Sequence, residues 1–472
     1  ANLEAAVADY FNATGKANRA VVISQLAGIV AGMENETTFG VYGNAAIAFN
    51  KQVAANYTYS SNTANVSGAV VAVTVKLPPI PVYKTSYENK NKAKFDLPQI
   101  LNAFDLGLVK TVGNEKFDYF EWRSIAFADF TQEGKYTIVQ AQNVFDAAKM
   151  AAGVTRALPA KLVFLQKNGD NYVDVTNKLI PVAADQRPCF APGDPIIADF
   201  NGDGKPDIFL TCGGGNGDFV DTTGFTQAQL AELLTGYQSV YLSQVDGTLK
   251  KAVVPYKFYG HGGSAADLNG DGYVDVIVTN PVYGLGATII ALINDGKGNF
   301  TADYTRFNIN NKAIYTLELL DVGRGVVDVI AGGDAAGTYD GAIDNLWLKN
   351  DGTGKFLNYV ALPKVTSKKS GKIYELVLDV LYSDGFLYMT IVGNAYKDNA
   401  IVKINLATLT AQTIWEKLTA FSDAWVDGDK DFGYISKMVK DNNNNLVPMM
   451  ACRFKSTDPK YGTSICGVRG KT

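Results

Sequence analysis

From about Phe117 onward, short apolar runs alternate with brief polar, glycine-bearing interruptions. Ile196-Ile197-Ala198 precedes one interruption and Ile208-Phe209-Leu210 follows it; short β-branched and aromatic runs predict strand, loop, strand rather than helix. The unit recurs as IAFADFTQEGKYTIV from Ile125, ADFNGDGKPDIFL from Ala198, ADLNGDGYVDVIV from Ala266 and LELLDVGRGVVDVI from Leu317. Weaker copies run from Leu376 to Ile391 and, as ISKMVKDNNNNLVPMM, from Ile435 to Met450. Their anchors are Asp129, Asp199, Asp267, Asp321, Asp379 and about Asp441, spaced from the mid-fifties to about seventy residues, the size of a four-stranded unit.

A second signal lies behind several anchors. Lys167-Asn168-Gly169, Val245-Asp246-Gly247, Asn294-Asp295-Gly296 and Asn350-Asp351-Gly352 are hairpin turns of the Asn-Gly or Asp-Gly kind. Each unit is therefore expected to hold an inner strand pair joined by the acidic loop and an outer pair joined by the tight turn, which is a propeller blade. One insertion interrupts the pattern: Thr226 to Thr235, TQAQLAELLT, opens with Thr226 and Gln229 as a capping box and predicts a short helix.

Residues 1–80 follow another period. Leu3, Val7, Tyr10 and Phe11, then Val22, Leu26, Ile29 and Val30, have helical spacing, and Val66 to Val75 reads as a strand. Pro78-Pro79-Ile80-Pro81 ends the region as a stiff connector. The expected organisation is an N-terminal α+β module at 1–80, serving anchoring or self-assembly, a connector with a ring-closing strand at 81–116, and a propeller at 117–472.

Composition supports a β fold: 47% of residues are hydrophobic, 19% charged, and 46 glycines stand against 15 prolines. A net charge of −4 without a basic run excludes nucleic acid as a partner. No apolar stretch reaches the roughly 18 residues needed for a membrane span. The chain begins at Ala1 without a charged leader, so a processed, secreted or extracellular product is expected. Cys189, Cys212, Cys452 and Cys466 lack CxxC spacing, which argues against zinc and redox motifs. Two bridges, Cys189 to Cys212 and Cys452 to Cys466, are expected, the alternative being four buried thiols.

The acidic loops carry the chemistry. Asp199, Asn201, Asp203 and Asp207 place side-chain oxygens at positions 1, 3, 5 and 9, with the Lys205 carbonyl at position 7. The second copy offers Asp267, Asn269, Asp271, the Tyr273 carbonyl and Asp275. Calcium takes six to eight oxygens at about 2.3–2.6 Å, and glycines between alternate ligands let the loop turn inward. An EF-hand is excluded because position 12 is Leu210 or Val278 instead of Glu. The competing reading is an Asx-rich turn whose acids cap backbone N–H groups. Two copies at one spacing weigh against it, since uncompensated carboxylates this close repel one another.

These loops, together with the turn Leu292-Ile293-Asn294-Asp295-Gly296-Lys297-Gly298-Asn299-Phe300, resemble the FG-GAP or VCBS repeat family, which includes the integrin α-subunit propeller and several lectins. The resemblance implies a mainly β, six- or seven-bladed β-propeller, seven preferred, with Ca2+ at two sites held by the ten residues just named. A seventh blade requires the region before Arg123 to join a strand at Tyr461 to Arg469. Asp129, with Thr131 and Glu133, departs from the pattern because position 9 is Thr137, and the loops at Asp321 and Asp379 are expected to hold no metal.

A single histidine, His261, excludes Ser-His-Asp triads and His-based metal centres, and is expected to be a ring-facing polar residue. No spare acid pair stands out for glycoside hydrolysis. The expected function is a non-catalytic adhesion or recognition module that binds a glycan or protein on one propeller face. The alternatives are a structural subunit of a surface appendage, filament or virion, and a calcium-dependent polysaccharide-active enzyme.

Overall fold

A computed structural model of the chain describes residues 110–451 with gaps, the longer ones at 118–124, 149–156, 182–186, 214–225, 230–234, 282–286, 336–342, 394–397, 419–433 and 441–445. The 1–80 module, most of the 81–116 connector, the anchor Asp441, the Cys452/Cys466 pair and the Tyr461 to Arg469 strand lie outside the described residues.

Five antiparallel sheets follow one another along the chain. The first joins β1 (Lys110–Val112), β2 (Glu115–Phe117), β3 (Ile125–Ala128), β4 (Thr137–Asp146), β5 (Ala157–Asn168) and β6 (Asn171–Asp174). The β1–β2 hairpin and β3 share one edge of β4, so residues 110–116 of the connector extend blade one. A four-residue helix, α1 (Thr176–Leu179), follows β6. Blade two is β7 (Pro192–Ala198), β8 (Asp207–Cys212), β9 (Gly236–Ser243) and β10 (Leu249–Phe258). Blade three is β11 (Gly263–Ala266), β12 (Asp275–Thr279), β13 (Ile289–Asn294) and β14 (Phe300–Asp303). Blade four is β15 (Ile314–Leu320), β16 (Asp328–Gly333), β17 (Leu346–Lys349) and β18 (Asn358–Ala361). Blade five is β19 (Leu376–Ser383), β20 (Phe386–Gly393), β21 (Asp398–Asn405) and β22 (Thr410–Leu418).

Burial explains the sequence pattern. β8 and β12 are buried at every position, because neighbouring sheets cover both their faces, and they read as continuous apolar runs. β10 and β18 lie at sheet edges and mix exposed with buried residues. Phe200, Phe209 and Phe300 pack edge to face at 5.3–6.2 Å and join blade two to blade three.

Inner strands pack on inner strands in chain order, β3 on β7, β7 on β11, β11 on β15 and β15 on β19. Polar bonds reinforce the later steps: the Ser264 hydroxyl bonds Glu318 and accepts from the Leu319 N–H, and the Thr316 hydroxyl donates to the Val377 carbonyl at 2.7 Å. This is the blade order of a β-propeller.

The sequence pattern predicts six or seven blades; the described residues contain five complete ones. The sixth repeat supplies a two-stranded sheet, β23 (Tyr434–Lys440) and β24 (Leu446–Ala451), whose first strand packs on blade five. Lys437, only 4% exposed, donates from this sheet to the Ile125 carbonyl of blade one at 2.5 Å, so the last described sheet returns to the first.

One anchor is also corrected. Asp379 does not open an acidic loop; it sits inside β19 at a register shift and accepts the Met438 N–H at 2.7 Å. The turn that joins β19 to β20 is Asp384-Gly385, both with positive φ, as a two-residue hairpin requires.

The Cys189–Cys212 bridge is present and ties the connector before β7 to the end of β8, closing a loop of 23 residues. Loops of that size stabilise by about 3 kcal/mol in the chain-entropy account. The capping box is present too: the Gln229 N–H donates to the Thr226 hydroxyl and the Thr226 N–H to the Gln229 side chain, while the intervening and following helical positions lie outside the described residues. Among the described residues, no helix is long and apolar enough to cross a membrane.

Candidate metal centre

The two acidic loops fall where the spacing places them, joining β7 to β8 and β11 to β12. In both, the glycines at positions 4 and 6 have positive φ, 76° and 81° at Gly202 and Gly204, 76° and 89° at Gly270 and Gly272. A side chain at those positions would be strained, so glycine sets the loop's curl.

Position 1 organises each curl. Asp199 accepts the N–H groups of Gly202, Asp203 and Gly204 at 2.7–3.1 Å, and Asp267 accepts those of Gly270 and Gly272 at 2.7 and 2.9 Å. A carboxylate has about four lone-pair sites, so both retain capacity for a cation.

Position 9 closes the loop onto the third strand of its blade. Asp207 accepts Phe200 N–H and Asn201 N–H on one oxygen, and Ser243 N–H and the Ser243 hydroxyl on the other. Asp275 accepts Leu268 N–H and Asn294 N–H in the same manner. Ser243 and Asn294 are thus functional neighbours that loop spacing does not reveal; for Asn294 the signal was its place at the head of the Asn-Asp-Gly turn.

Positions 3, 5 and 7 are less enclosed. Asp203 accepts Lys205 N–H and the Ser243 hydroxyl, and Asp271 accepts Tyr273 N–H and the Asn269 amide. The Lys205 ammonium turns away to the Gln244 carbonyl. The Tyr273 ring lies where a side chain on Gly296 would stand, which is why the adjoining turn needs glycine there.

Electrostatically both loops are acid-rich and uncompensated. Burial pushes Asp207 and Asp275 up to about 7. Burial also raises Asp199 and Asp267, helped by the charges of Asp203 and Asp271. Among the described residues, no lysine or arginine forms an ion pair with these six carboxylates. Among the described residues, no three of these carboxylates converge as a preformed metal cluster.

The sister loops carry their own cation. In blade four Arg324 pairs with the fully buried Asp328 at 2.6 Å and donates to the Asn350 carbonyl at 3.2 Å, while Asp328 also accepts Asn350 N–H, as Asp207 and Asp275 accept Ser243 N–H and Asn294 N–H. In blade one Lys178 of α1 pairs with Glu133 at 2.5 Å. A guanidinium at the third-strand end of blade four is a stand-in ion for the same position in blades two and three. By this test and by their all-oxygen donor set, the residues at 199–207 and 267–275 fit a hard divalent cation.

A groove of about 280 Å³ opens beside the blade-two loop. Phe130 and Gln132 of blade one form one wall, Lys205 of the loop another, and Gln244, Asp246 and Thr248 of the outer turn a third. His261 is half-buried where blade two joins blade three; its Nδ1 lies 2.9 Å from the Tyr315 carbonyl and its ring packs edge-on to Tyr315.

Residues 199–278 match the family model described as FG-GAP-like repeat. No curated protein matches the sequence. Among solved structures, the chain is similar to BBS1N in complex with ARL6DN, at 8% identity and a TM-score of 0.35, covering 72% of this chain and 79% of that one. It is similar also to a GH43_1 enzyme from Xanthomonas citri, at 8% identity and 0.30, with coverage of 71% and 82%. An exotype rhamnogalacturonan lyase, YesX, is similar at 10% identity and 0.31, with coverage of 77% and 75%. The family match covers both acidic loops together with β8, β9, β10 and β11, so residues 199–278 resemble an FG-GAP-like repeat within a chain of β-propeller arrangement.

Proposed function

We propose that this chain is an extracellular calcium-binding β-propeller that acts as a recognition module for a glycan or protein. The observation that carries the calcium reading is the distribution of positive charge: blades one and four bring Lys178 and Arg324 to their inner loops, whereas the carboxylates of blades two and three pair with no cation among the described residues. An ion from solution supplies the missing charge. Its ligands are Asp199, Asn201, Asp203, the Lys205 carbonyl and Asp207 in one loop, and Asp267, Asn269, Asp271, the Tyr273 carbonyl and Asp275 in the other.

The recognition reading rests on where the first loop lies. A cation at 199–207 holds the backbone of Lys205, whose side chain walls the groove shared with blade one. Calcium there stiffens a polar, concave surface built on rigid strands, the setting in which ligand-binding loops work best. The Cys189–Cys212 bridge supports an oxidising, extracellular setting. The ring closes at six blades in this reading, on the strength of the Lys437 bond to Ile125.

The test is a glycan array probed with the intact chain in calcium and again in chelator, repeated with Lys205→Glu. Binding that needs calcium and weakens with Lys205→Glu supports the reading. Binding indifferent to both places recognition elsewhere, and turnover of a polysaccharide makes the protein an enzyme instead.

A further inference from the structure

Resting on the calcium reading, we propose that Ser243 is an additional ligand of the blade-two ion, and that the 199–207 loop consequently holds calcium more tightly than its twin at 267–275. Ser243 ends β9, outside the loop, and is 8% exposed. Its hydroxyl oxygen lies 2.7 Å from one oxygen of Asp207 and 3.0 and 2.9 Å from the two oxygens of Asp203.

A hydroxyl has one proton. It satisfies one of these three contacts, and the Asn201 amide lies 3.4 Å from the same oxygen; the remaining pairs set oxygen lone pairs face to face between the fully buried Asp207 and the exposed Asp203, an arrangement that a cation among them relieves. Oxygens spaced at 2.7–3.0 Å are placed as neighbouring ligands of one ion with bonds of about 2.3–2.6 Å. The Asn201 amide bonds the Ser243 carbonyl at 3.0 Å, which anchors the strand end against the loop.

Blade three lacks this ligand. Asn294 stands at the equivalent strand end, donating its N–H to Asp275, but its side chain is already committed. Its amide donates to the Phe200 and Val274 carbonyls, and its Oδ1 accepts from Gly296 N–H and Gly298 N–H. Asn294 is therefore spent on joining blade three to blade two. Asp271, in turn, accepts the Asn269 amide where Asp203 faces the serine hydroxyl.

Titration calorimetry of metal-stripped full-length protein with calcium chloride tests this. Wild type should show two classes of site. Ser243→Ala should weaken the tighter class by about tenfold, the low end of what loss of a supporting group costs a metal site. Ser243→Asn, which imports the blade-three side chain, should do the same, and Ser243→Thr, which keeps the hydroxyl, should restore the affinity. Asp271→Ala should remove the weaker class alone. Melting in chelator verifies that each variant folds, since Asp207 keeps the residue 243 N–H in all of them. If wild type takes up calcium and the Ser243→Ala isotherm superimposes on it, Ser243 is not a ligand although the calcium reading stands. If Asp271→Ala removes the tighter class, the ranking is reversed; if wild type takes up no calcium, both readings fall.

Discussion

The loops at 199–207 and 321–328 occupy the same place in blades two and four, and each ends in a fully buried aspartate that receives the N–H of the third-strand end. They differ in the source of positive charge. Blade four spends a residue of the loop itself, Arg324, on Asp328. Blade two keeps oxygens at those positions, and its lysine points away to Gln244. The same scaffold can therefore be closed from within or left for an ion, and the choice costs only one or two side chains. Blade one shows an intermediate solution, in which the cation, Lys178, comes from a helix beyond the loop.

Removing the ion should have the largest effect. Chelation, or Asp203→Ala combined with Asp271→Ala, should lower the melting temperature measured in calcium; each loop loses about 2.7 kcal/mol where calcium stood at a hundred times its Kd. Equal melting temperatures with and without chelator would mean that blades two and three are closed without an ion, like blade four.

Next in size is Arg324→Met, which leaves Asp328 buried and unpaired. Because the Arg324 side chain is 36% exposed, the loss should be about 2–3 kcal/mol, below the range for a fully buried pair. Denaturant unfolding should give the same loss in calcium and in chelator. A calcium-dependent loss would show that blade four also uses metal.

pH sharpens the contrast further. In metal-free protein Asp207 and Asp275 titrate at about 7 because burial favours their protonated forms, against about 4 in the unfolded chain. The unfolded chain thus binds fewer protons between these values. Their contribution to stability is fully present below about pH 4 and is lost as pH rises through 7. Thermal melts in chelator should fall from pH 5 to pH 8, and saturating calcium should flatten that fall by taking the protons' place. A melt that is level in chelator would contradict uncompensated carboxylates.

The smallest effect belongs to blade one. Lys178 and Glu133 are exposed, 57% and 39%, so Lys178→Ala should change stability by no more than about 0.5 kcal/mol. A larger loss on denaturant unfolding would give this surface pair a structural weight its exposure does not predict.

The acidic loops were legible because their logic is local. Oxygen ligands at alternate residues, with glycine where φ turns positive, are written in nine consecutive positions, and the flanking apolar runs mark the strands they join. The Asn-Asp-Gly turns were legible for the same reason. Asp379 misled because an aspartate between apolar runs looks alike whether it opens a loop or, as here, bonds the Met438 N–H of the next sheet.

Nothing near positions 199–207 announces Ser243, and nothing near Ile125 announces Lys437, 312 residues away. The repeat, the strand–loop–strand unit and the candidate ligands are written locally, since backbone geometry and ligand spacing act over a few residues. Which loops carry an internal cation, which strand end reaches each loop and which sheet returns to the first are contacts between distant segments, and folding alone brings those together.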